Sequence, residues 1–199
     1  QWLMDVVLER RFLEALLDKV LEFWLEVGER FLAEVGDLVD VVAVVDDIST
    51  KDGPMISPEF YRQVIKPRQK QIFDLIRARS KAKILYHCCG NVVPFLPDFV
   101  ELGVDAINPV QVNARDMDTA RLKREYGRYL AFWGAVDTSW VLPRGTVEDV
   151  REEVRRRLRD LNRGGGYVLA AVHNIQRDVP PQNIVAMYRT AKEESAAAA

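Results

Sequence analysis

The 199-residue sequence predicts an α/β fold in one domain, with about five parallel strand-then-helix units over residues 40–193 behind a helical lead-in over residues 1–36. Three observations carry that expectation. Short apolar runs alternate with amphipathic stretches, most connections between them are only a few residues long, and helix-start and helix-stop residues stand at the boundaries.

From about Met4 to Gly36, apolar side chains recur at helical spacing (Phe12, Leu16, Val20, Phe23, Val27, Phe31) among many charges. The pattern predicts one long helix or two in succession, with this stripe in the core. Asp40 to Val45 reads as a buried strand ending in Asp46-Asp47. Ser57-Pro58-Glu59 starts a helix, with a capping serine, proline at the first helical position and an acid in the first turn. That helix runs to about Arg79. Ile84-Leu85-Tyr86 is a short buried strand leading into His87-Cys88-Cys89, and Gly90-Asn91 is the turn that leaves it. Val92 to Leu102 is a short helix closed by Gly103, and Val104 to Pro109 is a strand leading to Val110-Gln111. Asp118 to Tyr126 is a helix closed by Gly127, and Leu130 to Val136 is a strand reaching Asp137. Thr146 caps a charged helix to about Asn162, whose run from Glu148 to Arg159 reads as a solvated face. Gly164-Gly165-Gly166 turns into the strand Tyr167 to Val172, which ends at His173-Asn174, and Pro180-Pro181 opens the last helix. Residues 193–199 read as a frayed helix end without function.

In parallel units every strand's C-terminal end lies on one rim, so Asp46, Asp47, His87, Cys89, Asn108, Gln111, Asp137, His173 and Asn174 fall together. In an eight-fold barrel or an open doubly wound sheet that rim is where sites are built. His87 and Cys89 are two apart, which on a strand sends both side chains to one face and Cys88 to the other. An imidazole and a thiolate are thereby offered to a shared ion, with a third ligand from elsewhere, while Cys88 is packing. The bland alternative is a buried strand end whose cysteine acts as a small hydrophobe. His173 is the only other histidine. It serves either as a third ligand or as a hydrogen-bonding catalytic residue without metal. Asp46, Asp47 and Asp137 serve a site or cap the turns that follow them. Asn108, Gln111 and Asn174 are rim hydrogen-bonders for a substrate or a turn.

Composition narrows the function. A net charge of -2 offers no electrostatic case for nucleic acid or an anionic membrane surface. Two adjacent cysteines make no disulfide framework, which favours a reducing, cytoplasmic setting. No basic region precedes the first apolar residues as in a signal peptide, and no apolar run reaches the roughly 18–20 residues of a membrane span. The triple glycine precedes a strand instead of following one, so it is no dinucleotide fingerprint, and no Walker pattern occurs.

Five groups of residues together resemble the uroporphyrinogen decarboxylase-like family, which includes cobalamin-dependent methyltransferases that pass a methyl group to a thiol. They are Ile56-Ser57-Pro58-Glu59 with Ile65-Lys66-Pro67; His87-Cys88-Cys89-Gly90-Asn91; Gly103-Val104-Asp105 with Asn108-Pro109-Val110-Gln111; Phe132-Trp133-Gly134 with Asp137; and Gly164-Gly165-Gly166-Tyr167 leading to His173-Asn174-Ile175. The resemblance covers nearly everything from Asp40 to Lys192. It implies part of a TIM (β/α)8 barrel, a fold that takes about 250 residues, with this chain matching the C-terminal portion and its first three strands absent. Another chain, a homo-oligomer included, is one way to complete such a sheet.

The methyltransferase branch of that family holds zinc with a His-x-Cys pair, matched by His87 and Cys89, and a distant third ligand, usually cysteine. At that distant position this chain has His173, as the decarboxylase branch does. The implied ligand set is His87, Cys89 and His173, with an open fourth position for a small thiol substrate. Methylcorrinoid (cobalamin) would be the methyl donor, carried on a separate corrinoid protein. Asp46, Asp47 and Asp137 would orient substrate or the ligating imidazoles. Two alternatives accompany this reading: a metal-independent decarboxylase of a porphyrinogen-like tetrapyrrole, and a non-catalytic barrel fragment acting as a binding or assembly subunit.

Overall fold

The computed structural model describes residues 1–197, so part of the expected frayed end, residues 198–199, lies outside the described residues. The elements in chain order are α1 (Trp2–Leu8), α2 (Arg10–Val35), β1 (Val41–Val45), α3 (Pro58–Phe60), a π-helical turn (Tyr61–Ile65), α4 (Lys66–Arg79) and β2 (Lys83–His87). A 3-10 turn (Val93–Phe95), α5 (Leu96–Glu101), β3 (Ala106–Asn108), α6 (Thr119–Tyr126) and β4 (Ala131–Val136) follow. The chain continues through α7 (Val141–Arg144), α8 (Val147–Leu161), β5 (Tyr167–Ala171) and α9 (Pro181–Ala197). The five strands form one sheet in sequence order, β1-β2-β3-β4-β5, and every pair is parallel. Sequential order with helical crossovers is the arrangement of consecutive units in a (β/α)8 barrel. No described helix is long and apolar enough to cross a membrane.

Local chemistry explains the boundaries. The Ser57 hydroxyl accepts the Phe60 N–H at 3.0 Å, Asp118 caps α6 through Arg121 N–H, and Thr146 and Asp149 form a reciprocal capping box on α8. The lead-in is two helices, broken at Glu9, whose backbone leaves the helical region at φ -129 and ψ 47. The short helix α7 had no separate signal in the sequence.

Burial follows strand alternation. Ile84, Tyr86, Ile107 and Phe132 point toward the helices and are fully packed. Tyr86 meets Phe73 of α4 and Phe99 of α5 edge-on, and Tyr61 of the π-turn meets Phe95 and Phe99. Burying each such ring fully contributes about 1.5–3 kcal/mol relative to leaving it in water. A second cluster joins Val136 of β4 to Leu142, Val150, Val154 and Met187 of α7, α8 and α9. The opposite face of the sheet is open, with Val45 67% and Val168 42% exposed.

Two expectations need correction. The stripe Phe12, Leu16, Val20, Phe23, Val27 and Phe31 is not core: every member is exposed, Phe12 at 60%. Helix α2 packs on α4 through a different face, burying Leu13 and Leu32, and nothing among the described residues covers the stripe. Periodicity identifies an apolar face but not whether a partner lies on it. The charge run of α8 is also not wholly solvated. Arg157 is buried, donating to Glu153 and to Thr119 Oγ1, because that side of the helix packs against the start of α6.

Gly134 takes φ +123 in β4, and a Cβ there would stand 2.0 Å from the Pro109 carbonyl oxygen, which also accepts the Ala135 N–H at 3.0 Å. Only glycine lets the two strand ends approach this closely. Gly134→Ala is expected to destabilise the fold by more than about 1 kcal/mol, read as a lower midpoint in urea unfolding; an unchanged midpoint would contradict the close approach.

Asp98 pins α5 to the π-turn and α4. Its carboxylate accepts from Arg62 at 3.0 Å and Lys66 at 2.9 Å, while Lys66 also reaches Glu101 at 2.6 Å. Burial acts to raise the Asp98 pKa, but hydrogen bonds from Arg62 and Lys66 and their charges outweigh it, and the net shift is downward. A carboxyl held below its unfolded value contributes stability fully above about pH 3.9, and that contribution is lost as pH falls through the folded value. Asp98→Asn is therefore expected to cost about 2 kcal/mol at pH 7, and the gap between variant and wild type narrows when unfolding is measured below pH 4.

Candidate metal centre at the sheet rim

His87 is the last residue of β2 and stands directly across from Asn108, the last residue of β3. Its Nδ1 lies 2.5 Å from Asn108 Oδ1. Past the strand end the backbone continues in register for one residue, with Cys88 N–H donating to the Asn108 carbonyl at 2.8 Å. Cys88 turns into the core and Cys89 returns to the rim, where its Sγ lies 3.5 Å from His87 Nε2. Gly90 then takes φ +88, where a Cβ would fall 2.5 Å from the Thr50 carbonyl oxygen. The turn presenting Cys89 is thus seated on the β1–α3 loop, with Asn91 N–H donating to the same Thr50 oxygen at 2.8 Å.

Asp47 and Asp46 are neighbours with different surroundings. Asp47 reaches over the turn, and its Oδ1 accepts the Cys89 N–H at 2.7 Å. Asp47, His87 and Cys89 each bring one donor atom to within 4.8 Å of the others. The Asp46 carboxylate instead accepts from Gln69 Nε2 of α4 at 3.1 Å; the same amide donates to Tyr86 Oη at 2.7 Å and its oxygen accepts from Tyr61 Oη at 2.7 Å. Burial raises the Asp46 pKa, the Gln69 hydrogen bond partly offsets that, and the charge of Asp47 adds to the rise.

The cysteines are weak acids here. Burial, with smaller contributions from Asp47 and Asp46, pushes Cys88 up to about 12. Burial and then Asp47 push Cys89 up to about 11. Without a cation both sulfurs hold their protons at neutral pH, and a divalent ion at this point is what would reverse that for Cys89. An oxygen, a nitrogen and a sulfur donor suit zinc, which accepts all three types and in reactive sites keeps a fourth position open.

Two cavities flank the group. One of about 360 Å³ is lined by Cys89, Gln111, Thr138, Ser139, His173, Asn174 and Gln176. The other, about 460 Å³ on the open face of the sheet, is lined by Val45, His87, Asn108, Trp133, Ile175 and Tyr188, and again by His173 and Asn174. His173 and Asn174 border both cavities, but His173 is not part of the close donor group. Gln111 accepts the Gly90 N–H at 2.8 Å and donates to Asn113, so it braces the cysteine turn. Asp137 accepts from Ser139 N–H at 2.8 Å and Val141 N–H at 3.4 Å, capping the turn into α7. Asp46 and Asp137 line neither cavity. Trp133, Thr138, Ser139 and Tyr188 escaped the sequence reading as lining residues. Trp133 could have been found by alternation, since Phe132 beside it is buried on the helical face.

The family model for uroporphyrinogen decarboxylase (URO-D) matches residues 1–194. The methylcobamide:CoM methyltransferase MtbA of Methanosarcina mazei is 29% identical over 192 residues, a match that covers 96% of this chain and 52% of that protein. Among solved structures, a methyltransferase from Methanosarcina mazei superposes with a TM-score of 0.76 at 23% identity, covering 98% of this chain and 53% of that one. The chain therefore spans about half the length of the proteins it matches, and the superposition establishes its fold as part of a (β/α)8 barrel. On the extent of the family match, the chain belongs to the uroporphyrinogen decarboxylase (URO-D) family.

Proposed function

We propose that the chain carries the zinc centre of a methyltransferase that moves a methyl group from a methylcorrinoid, held on a partner protein, to a small thiol. The observation that carries this reading is the convergence of Asp47, His87 and Cys89 donor atoms within 4.8 Å beside two cavities. The name of the Methanosarcina relative, a methylcobamide:CoM methyltransferase, supports the reaction class.

His87 Nε2, Cys89 Sγ and one oxygen of Asp47 are the donors that would hold the ion. Zinc supplies Lewis acidity that lowers the pKa of a thiol brought to its open position. Asp47 also fixes the cysteine turn through the Cys89 N–H. His173 and Asn174, at the border of the two cavities, are assigned to the acceptor side, His173 taking up the thiol proton and Asn174 orienting the acceptor. Val45, Trp133, Ile175 and Tyr188 supply an apolar wall for the donor. In such a transfer the acceptor sulfur would form the S–C bond as the methyl group leaves the corrinoid, which would keep the electron pair of the broken bond, while His173 would hold the proton given up by the thiol.

Metal analysis of protein purified under reducing conditions tests this directly. About one zinc per chain is expected, lost in Cys89→Ala and His87→Ala and bound at least about tenfold more weakly in Asp47→Ala. His173→Ala should keep its zinc and lose methyl transfer from methylcobalamin to a thiol. A folded wild-type chain that takes up no zinc on titration, or that decarboxylates uroporphyrinogen without metal, would overturn the reading.

A further inference from the structure

We propose that Asn108 is a positioning residue that sets the tautomer of His87, keeping the proton on Nδ1 and leaving Nε2 as a free lone pair on the Cys89 side. Its consequence for metal binding rests on the zinc reading above; its geometry does not.

A peptide carbonyl can only accept, and the Trp133 carbonyl oxygen lies 3.0 Å from Asn108 Nδ2. Turning the amide over would set its oxygen against that carbonyl, so the NH₂ end belongs on the Trp133 side. The other end of the same amide, Oδ1, is then the atom that faces His87 Nδ1 at 2.5 Å. An amide oxygen can only accept, so Nδ1 must carry a hydrogen. In the neutral imidazole the second nitrogen then has none. That nitrogen, Nε2, is the one 3.5 Å from Cys89 Sγ.

Each link is built into the sheet. His87 and Asn108 are direct cross-strand partners, and β4, which carries Trp133, lies next to β3. The chain of roles therefore runs from a β4 carbonyl through a β3 amide to a β2 imidazole. In water a free histidine side chain favours the opposite tautomer, with hydrogen on Nε2. Without Asn108, a metal approaching the rim would meet an N–H where it needs a lone pair, and the imidazole would be free to turn.

The test is NMR of the metal-free protein labelled with ¹⁵N-histidine, at a pH where the imidazoles are neutral. Only two histidines contribute, and His173→Gln assigns them. Wild-type His87 is expected to show a protonated Nδ1 and an unprotonated Nε2. Asn108→Leu should release the ring to Nε2–H, whereas Asn108→Asp, which keeps an acceptor oxygen toward Nδ1 but sets its other oxygen against the Trp133 carbonyl, should hold the Nδ1–H form with a lowered unfolding midpoint. Zinc affinity should fall about 10–100-fold in Asn108→Leu and recover most of that in Asn108→Asp. Nε2–H in the wild type, or Nδ1–H persisting in Asn108→Leu, would overturn the proposal even if zinc binds. A wild type with the Nδ1–H form that binds no zinc would sustain the proposal and sink the zinc reading instead, so the two failures are separable. Should Asn108→Leu not fold, Asn108→Ala is read in its place, and Nε2–H in the wild type overturns the proposal whatever the variants do.

Discussion

Parallel pairing in register is the constraint on which the rest of this structure depends. Val45, His87 and Asn108 stand in one row across three strands, and that row is the floor of the site. A slip of one residue in β2 would turn His87 toward the helices and bring Tyr86, a fully packed core ring, out to the open face. The core therefore fixes the site: Tyr86 cannot leave its contacts with Phe73 and Phe99, so His87 cannot leave the rim.

The same strand alternation divides the sheet into two unlike faces. Aromatic rings from the π-turn, α4 and α5 fill the space behind β1, β2 and β3, and the Asp98 ion pairs hold those helical segments together. The other face carries Val45, Trp133 and Val168 at a partly open surface, continuous with a cavity. Along α2 the apolar stripe is likewise open. Packing is tightest directly behind the strands, and the chemistry-bearing residues stand in front of them, while the α2 stripe is a second open apolar surface on the outer, helical side.

Electrostatics separates residues that the sequence places side by side. Asp46 is bound into a Gln69–Tyr86–Tyr61 network and Asp47 to the cysteine turn. Cys88 is packing, whereas Cys89 sits within reach of an imidazole and a carboxylate. In each pair the chain's two-residue alternation sends neighbours to opposite surroundings, so adjacent identical residues acquire different partners.

Much of this was legible in the sequence because it rests on local rules. Capping by Ser57, Asp118 and Thr146, the alternation of apolar runs and helical stretches, and the placement of His87, Cys89, His173 and Asn174 at strand ends all follow from side-chain chemistry and period. What needed the tertiary structure was every pairing between distant segments. That Asp47 rather than His173 joins His87 and Cys89 in the close donor group, that Asn108 meets an imidazole, that Asp137 caps its own turn, and that the α2 stripe finds no cover among the described residues are results of how strand ends and helices come together in space. Periodicity says which face of an element is apolar and which residues share it. Only the packed fold determines what stands opposite that face, and so which of the rim's acids, amides and histidines meet.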